Sequence, residues 1–400
     1  MMLLLLEIIE LILGVGTITY IVLNVLLGVE VLAAIAQHKE NRSLTHEGPT
    51  PAFAVLIPAY NEADGIEQTL QNLLLEVESA EQIYMVADNC TDETAAISRN
   101  LGVQVFERTD VAKKGKGHAL DFGLRHLTPK LYRAVVIVDA DCLVSPGTLA
   151  AIVSQSIALN RPVQATYRMV LPPDPSPRDR VSAFALIVKN QVRAGGLSSL
   201  GLPILLGGTG MAFPWEALQA VNLASSHIVE DMKLGIDLAI AGYSPTLAPE
   251  AQVTSHLPSS ESAATSQRTR WEHGHLQVLT TYVPQLMKAA LKQRRLGLLV
   301  MALDLAIPPL ALWVLTGFAL TLLTGGLALL GNIAWPFAIQ GVADVLLVLA
   351  ILSAWMKWGR AELPLAQLLA IPLYILWKIP IYLKFLVKPE QSWVRTERDK

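Results

Sequence analysis

The stretch AVVIVDADC, residues 134–142, ends a short apolar run in two aspartates spaced one residue apart, Asp139 and Asp141. On an extended backbone, side chains at i and i+2 share a face, so this spacing would turn both carboxylates to one side. Such a pair suits a hard divalent cation, Mg2+ or Mn2+, that takes oxygen ligands and also holds phosphate oxygens. Acidic residues commonly end strands as helix caps, so the triplet gains weight only from its company. Asn61 and Glu62 follow one apolar run, and Asp88, Asn89 and Asp92 follow another. The loop KKGKGHAL, residues 113–120, sets Lys113, Lys114 and Lys116 among glycines, which lets the backbone approach an anion. It lacks the G-x-x-x-x-G-K-[ST] order of a phosphate loop, which excludes an ATPase of that type.

Three further stretches carry candidate chemistry. GGTGMAF at 207–213 is a glycine-rich turn able to pass its backbone close to a ligand. Glu230 and Asp231 open an amphipathic helix with Leu234, Leu238 and Ala241 on one face, where acidic residues ordinarily serve the helix dipole. SQRTRWEHGH at 266–275 precedes a strongly apolar region and fits two uses, a membrane-surface anchor or part of an active site. An indole can stack on the C–H face of a sugar, and a guanidinium matches phosphate in a two-pronged contact.

These residues need a scaffold, and residues 52–159 supply its rhythm. Short apolar runs at 52–60, 82–90, 103–109 and 133–142 alternate with helical patterns at 65–77, 91–102, 117–127 and 145–159. That alternation predicts an α/β domain with a mainly parallel sheet covered on both faces and ligands at the carboxyl ends of the strands. The polar residues named above sit at those ends.

The chain of 400 residues is 52% hydrophobic and only 16% charged, so part of it belongs in lipid. A formal charge of −3, without a basic tail, excludes a nucleic-acid partner. Two cysteines, Cys90 and Cys142, make no disulfide framework and are expected as free thiols. Apolar stretches at 11–36, 298–330, 333–356 and 363–387 approach or exceed the about 20 residues that a helix needs to cross a bilayer. His38, Lys39 and Arg42 follow the first, which places the next domain in the cytoplasm by the positive-inside rule. Pro372, Lys378, Pro380 and Lys384 interrupt the last, leaving it either a crossing or an interfacial helix. The expected organisation is an anchor at 1–36, a catalytic domain at 52–290, a membrane region of two to three crossings at 298–388, and a polar tail at 389–400. Residues 37–51 and 276–297 read as linkers, the second with a basic stretch at Lys288, Lys292, Arg294 and Arg295.

PAYNE at 58–62, ADNCTDET at 87–94, GKGHALDFG at 115–123, VDAD at 138–141, GGTGMAF, VED at 229–231 and QRTRW at 267–271 occur in one order. Together they resemble the membrane-bound family 2 glycosyltransferases of the GT-A fold, the group of cellulose, chitin and hyaluronan synthases, with ceramide glucosyltransferase nearby. The resemblance covers residues 52–275 and is specific for fold and reaction rather than for the sugar. It implies a Rossmann-like cytosolic transferase domain flanked by transmembrane helices, in a bacterial-type plasma membrane, performing inverting transfer from a nucleotide sugar, taken as a UDP-sugar. Asp88 would meet the uracil, with Glu62 and Lys116 also on the donor, while Asp139 and Asp141 hold the metal on the diphosphate. Arg270 would neutralise the leaving diphosphate, Trp271 would stack on the acceptor, and Gln267, Gly208 and Thr209 would help to place it. Asp231 would take the acceptor proton, with Glu230 as the other candidate base. Asp121 stands where this family commonly has asparagine, His256 where a carboxylate is common, and His273 and His275 are left without a role. The implied acceptor is a growing polysaccharide or, alternatively, a membrane lipid. A polymer conduit from so few crossings would call for a homo-oligomer or accessory export subunits.

Overall fold

A computed structural model describes residues 2–37, 49–127, 131–258, 260–331 and 333–390. His38, Lys39, Arg42 and residues 391–400 of the polar tail lie outside the described residues. The chain begins with helix α1 (Met2–Ala36) and enters the sheet at β1 (Phe53–Ala59). There follow α2 (Ile66–Leu74), β2 (Ile83–Asp88), α3 (Thr94–Asn100), β3 (Gln104–Arg108), α4 (Lys116–His126) and β4 (Ala134–Ile137). Strands β1 to β4 are parallel in the order β3-β2-β1-β4. Side chains alternate across β1: Val55 and Ile57 pack with Ile66 and Leu70 of α2 on one face, Ala54 and Leu56 with Ala119 and Leu120 of α4 on the other. Each fully buried aliphatic side chain contributes roughly 1.5–3 kcal/mol, and burial on both faces is why these strands read as continuous apolar runs.

The second half of the sheet departs from the expected parallel pattern. It contains β5 (Leu143–Val144), α5 (Thr148–Leu159), β6 (Val163–Val170), α6 (Pro177–Ile187), a π-helix over Val188–Arg193, and α7 (Ala194–Ser199). Next come β7 (Met211–Pro214), α8 (Trp215–Gln219), α9 (Glu230–Ala241) and β8 (Thr246–His256). Strand β7 runs antiparallel to β4 and β6, and β5 antiparallel to β8, which makes the sheet mixed. An antiparallel β7 delivers the glycine turn before Met211 to the carboxyl end of β4, which a parallel strand could not do.

Helix α10 (Glu261–Gln293) runs unbroken through 276–293, so this part of the expected linker is a helix. Arg295, from the basic stretch after it, donates to Ala239 O and Ser244 Oγ and ties the end of α9 rather than facing outward. The expected crossing at 298–330 is two helices, α11 (Leu296–Ala306) and α12 (Leu310–Gly331), separated at Pro308 and Pro309. Proline supplies no N–H and clashes with the preceding turn, so the helix stops there. Then come α13 (Trp335–Ala354) and α14 (Ile371–Val387). Helices at Leu6–Ala36, Leu310–Gly331, Trp335–Gly359 and Leu365–Val387 are long and apolar enough to cross a membrane. Helices α1 and α7 meet at backbone contact, since a Cβ on Gly196 would lie 1.9 Å from Glu30 O.

Candidate active site

The carboxyl ends of β1, β2 and β4, the glycine turn, the start of α9 and the first half of α10 enclose a cavity of about 600 Å3. It runs without interruption from Asp88 and Asn89 at one end to Leu27, Leu310 and Tyr374 of the apolar helices, and Pro308 between two of them, at the other.

At the first end, Asp88 accepts from Arg108 Nη1 at 2.5 Å and from Asn89 Nδ2 at 2.9 Å. Burial pushes the Asp88 carboxyl up, against the opposing pull of Arg108. Asn89 holds φ 54°, a left-handed conformation that asparagine tolerates, and its side-chain oxygen Oδ1 accepts the Asp110 N–H at 2.9 Å. Asp92 instead locks a loop: it accepts the backbone N–H of Ala63 at 3.0 Å and of Thr94 at 3.1 Å. Burial raises its carboxyl, but the hydrogen bonds from Thr94 and Ala63 outweigh that and lower it overall. This lock sets the turn that presents Glu62 to the cavity.

In the middle, Asp139 and Asp141 do not share the face of a strand, because β4 ends at Ile137 and the two aspartates flank a turn closed by Cys142 N–H on Asp139 O at 3.1 Å. The turn achieves the convergence that the strand does not: ligand atoms of Asp139, Asp141 and Cys142 lie within 4.8 Å of one another. Cys142 is buried and its thiol is held well above the usual range by that burial, so the oxygen donors are the two carboxylates. Lys116 Nζ pairs with Asp139, donates to Gly208 O at 2.6 Å and stands 3.8 Å from Glu230 Oε1. Burial and then Asp141 and Asp231 push the Asp139 carboxyl up, while Lys116 opposes them. Glu230 is pushed up to about 7 by burial and by Asp231, again against Lys116. A methyl on Gly208, at φ +96°, would come within 3.2 Å of Asp231 Oδ2, so glycine is required both by the backbone and by the carboxylate beside it.

Thr209 is fully buried and stands behind the cavity, where its hydroxyl accepts the Asp139 N–H at 3.0 Å. Gln164 fixes the same turn, donating to Thr209 O at 2.7 Å and accepting from Gly207 N at 2.9 Å. Sequence reading missed Gln164 and Arg108, since neither belongs to a recognisable pattern.

QRTRW forms the third wall. Its helix presents Gln267, Arg270 and Trp271 to the cavity, and Trp271 packs beside Met169, Ala183 and Leu257. Arg268, the other arginine, also borders the cavity but is held by Asp179 of α6 at 2.7 Å. His256 lies at the cavity edge, next to Ser255, whose hydroxyl is 3.4 Å from Asp141 Oδ2. Asp121 pairs with Arg125 one turn along α4, outside the cavity lining. His273 and His275 are buried, against Ile381 O and Leu305 O, and burial pushes His275 down to about 3, so it is a neutral packing group. Lys378 is neither stranded in lipid nor exposed: it pairs with Glu272 of α10, whose other oxygen accepts from Tyr382 at 3.0 Å. A lysine within an apolar helix was itself the signal for such a partner.

A mixed sheet with this carboxylate-lined opening defines the GT-A class of nucleotide-sugar-dependent transferases. The family profile described as "Glycosyltransferase like family 2" matches residues 50–274, more than half of the chain, and the chain belongs to that family. It is 23% identical over 244 residues to the poly-beta-1,6-N-acetyl-D-glucosamine synthase of Staphylococcus aureus, covering 56% of this chain and 54% of that protein. To the "Probable glucomannan 4-beta-mannosyltransferase 15" of Arabidopsis thaliana it is 26% identical, over 59% of this chain and 46% of that one. The chain thus spans about half the length of the curated relatives it matches. A solved mannosyltransferase of Pyrobaculum calidifontis, in complex with GDP-Man and Mn2+, aligns over 94% of this chain and 99% of its own, with a TM-score of 0.54 and 20% identity. That likeness is one of fold.

Proposed function

We propose that the protein transfers a sugar, with inversion, from a nucleoside diphosphate sugar in the cytoplasm to a growing polysaccharide at the membrane. The observation that carries this reading is the continuity of the cavity, from Asp88 past Asp139, Asp141 and Asp231 to Trp271 and the apolar helices. A UDP-sugar would seat its uracil near Asp88 and Asn89, with Glu62 and Lys114 lining the same end. Asp139 and Asp141 fit Mg2+ or Mn2+, which when bound would screen the diphosphate and stabilise the charge on the departing nucleotide. Lys116 would release Asp139 and turn to a phosphate oxygen, and Arg270 would face the leaving group from α10. Asp231, beside the glycine turn, would accept the proton of the acceptor hydroxyl as its oxygen forms the new bond, and Trp271 would hold the acceptor ring. Glu230, beside it and 3.8 Å from Lys116 Nζ, is the other candidate base.

A second reading, single transfer to a membrane lipid, is favoured by the walls of the far end, where Leu27, Leu310, Ala311 and Tyr374 come from apolar helices. Incubating membranes with labelled UDP-sugars and analysing the product decides between them. High-molecular-mass product supports the polymer, organic-soluble product supports the lipid, and no transfer overturns both. Competition by UDP but not by GDP would support the uracil assignment.

A further inference from the structure

Among the described residues the enclosed lysines of the cavity are paired, with one exception. Lys116 pairs with Asp139, and Lys378 with Glu272. Arg193 bridges Glu30 of α1 at 3.1 Å and Asp304 of α11. Lys114 is exposed at the nucleotide end. Lys189, half-buried in the cavity wall, makes no hydrogen bond or ion pair among the described residues. Burial pushes its ammonium down, with Asp231, Asp304 and Glu272 opposing from a distance, so its charge is felt but not matched.

Its setting is apolar on one side and reactive on the other. Lys189 belongs to the π-helix Val188–Arg193, a distortion that recurs at functional sites because it re-aims side chains. Val188 and Val192 flank it and join one apolar cluster with Leu27 of α1, Ile307 just after α11 and Ala311 of α12. Asp231, the proposed base, lines the same cavity. An ammonium next to hydrocarbon and without a counter-ion is unfavourable unless a ligand brings one.

We propose that Lys189 binds the anionic head group of a lipid acceptor, a phosphate monoester being the fitting chemistry, while the hydrocarbon lies along Leu27, Ile307 and Ala311. The donor diphosphate does not account for this lysine, because Lys116, Asp139 and Asp141 already form a separate site for it. The inference rests on the lipid reading of the acceptor and gives that lipid a charge. Lys189 would then hold the phosphate in the same cavity that Asp231 lines.

Direct binding tests this without knowledge of the sugar. A fluorescent diacylglycerol phosphate and its uncharged diacylglycerol counterpart are titrated into the purified full chain in nonionic detergent. The phosphate probe should bind at least about tenfold more tightly, as a charge-assisted contact requires. Lys189→Gln should abolish the difference and Lys189→Arg should keep most of it. Lys189→Met serves as a second neutral variant should Lys189→Gln misfold. Equal affinity of the wild type for both probes overturns the proposal, as does a discrimination that survives both neutral variants. Displacement of the phosphate probe by inorganic phosphate alone at equal affinity overturns the lipid assignment in favour of a free anion. UDP binding by the same preparations is read separately, so a failure of the donor reading is distinguishable from a failure at Lys189.

Discussion

The two ends of the cavity handle charge in opposite ways. At the end with the aspartate pair, Asp139, Glu230 and Asp231 gather around Lys116, with Asp141 beside Asp139, and leave a surplus of negative charge. At the membrane end charges are matched across helices: Arg193 with Glu30 and Asp304, Lys378 with Glu272, Arg268 with Asp179. A surplus held where strand ends meet a helix start favours a ligand, because an incoming cation relieves it. Matched pairs between helices set positions, because a buried charge tolerates no other geometry than the one with its partner. On the proposed reading the first end is thus built for binding and the end at the apolar helices for alignment, with Lys189 the exception among the enclosed lysines of the described residues.

The sharpest way to break this contrast is to remove the cation from the surplus. Chelation with EDTA is expected to abolish transfer in a product assay, and excess Mn2+ should not restore Asp141→Ala; full activity of the chelated enzyme would remove the metal from the donor end. Next in size is the base. Asp231→Asn should lower turnover by a factor on the order of 10² to 10⁴ while UDP-sugar binding stays near normal, and Asp88→Ala should show the reverse pattern. Should Asp231→Asn lose nucleotide binding instead, the residue belongs to the donor site.

Membrane-end changes should appear in stability rather than in chemistry. Lys378→Met leaves Glu272 buried without its partner and should lose roughly 3–5 kcal/mol in detergent unfolding, much of it regained when Glu272 is replaced by methionine as well. The smallest effect is expected at Asp179. It closes a capping box with Ser176 on α6 and pairs with Arg268, so Asp179→Asn should lose about 1–2 kcal/mol near neutral pH. Burial raises its carboxyl, but Ser176 and Arg268 outweigh that and depress it below the ordinary 3.8. A depressed carboxylate stabilises the fold above its unfolded value and loses that contribution as pH falls through the folded one. Wild type and variant should therefore converge in acid below about pH 3.8. A gap that is constant with pH would mean that the capping geometry matters and the charge does not.

Much of the donor end was legible from sequence. Strands β1 to β4 are short apolar runs closed by polar residues, and parallel pairing buries both faces, so period and composition fix them locally. The residues that line the opening follow, since ligands meet such sheets at strand ends. What sequence alone determined was therefore the α/β layering, the family to which the motifs belong and the presence of apolar helices. Tertiary structure alone decided the rest. The antiparallel β7 brings Gly208 against Asp231, and a turn rather than a strand brings Asp139 and Asp141 together. Lys378 meets Glu272 across more than a hundred residues of chain, and Gln164 holds a turn 45 residues away. No local pattern encodes such contacts, because the energy that fixes them comes from burying a polar group only where its partner is also buried, and that partner is chosen by how distant elements pack.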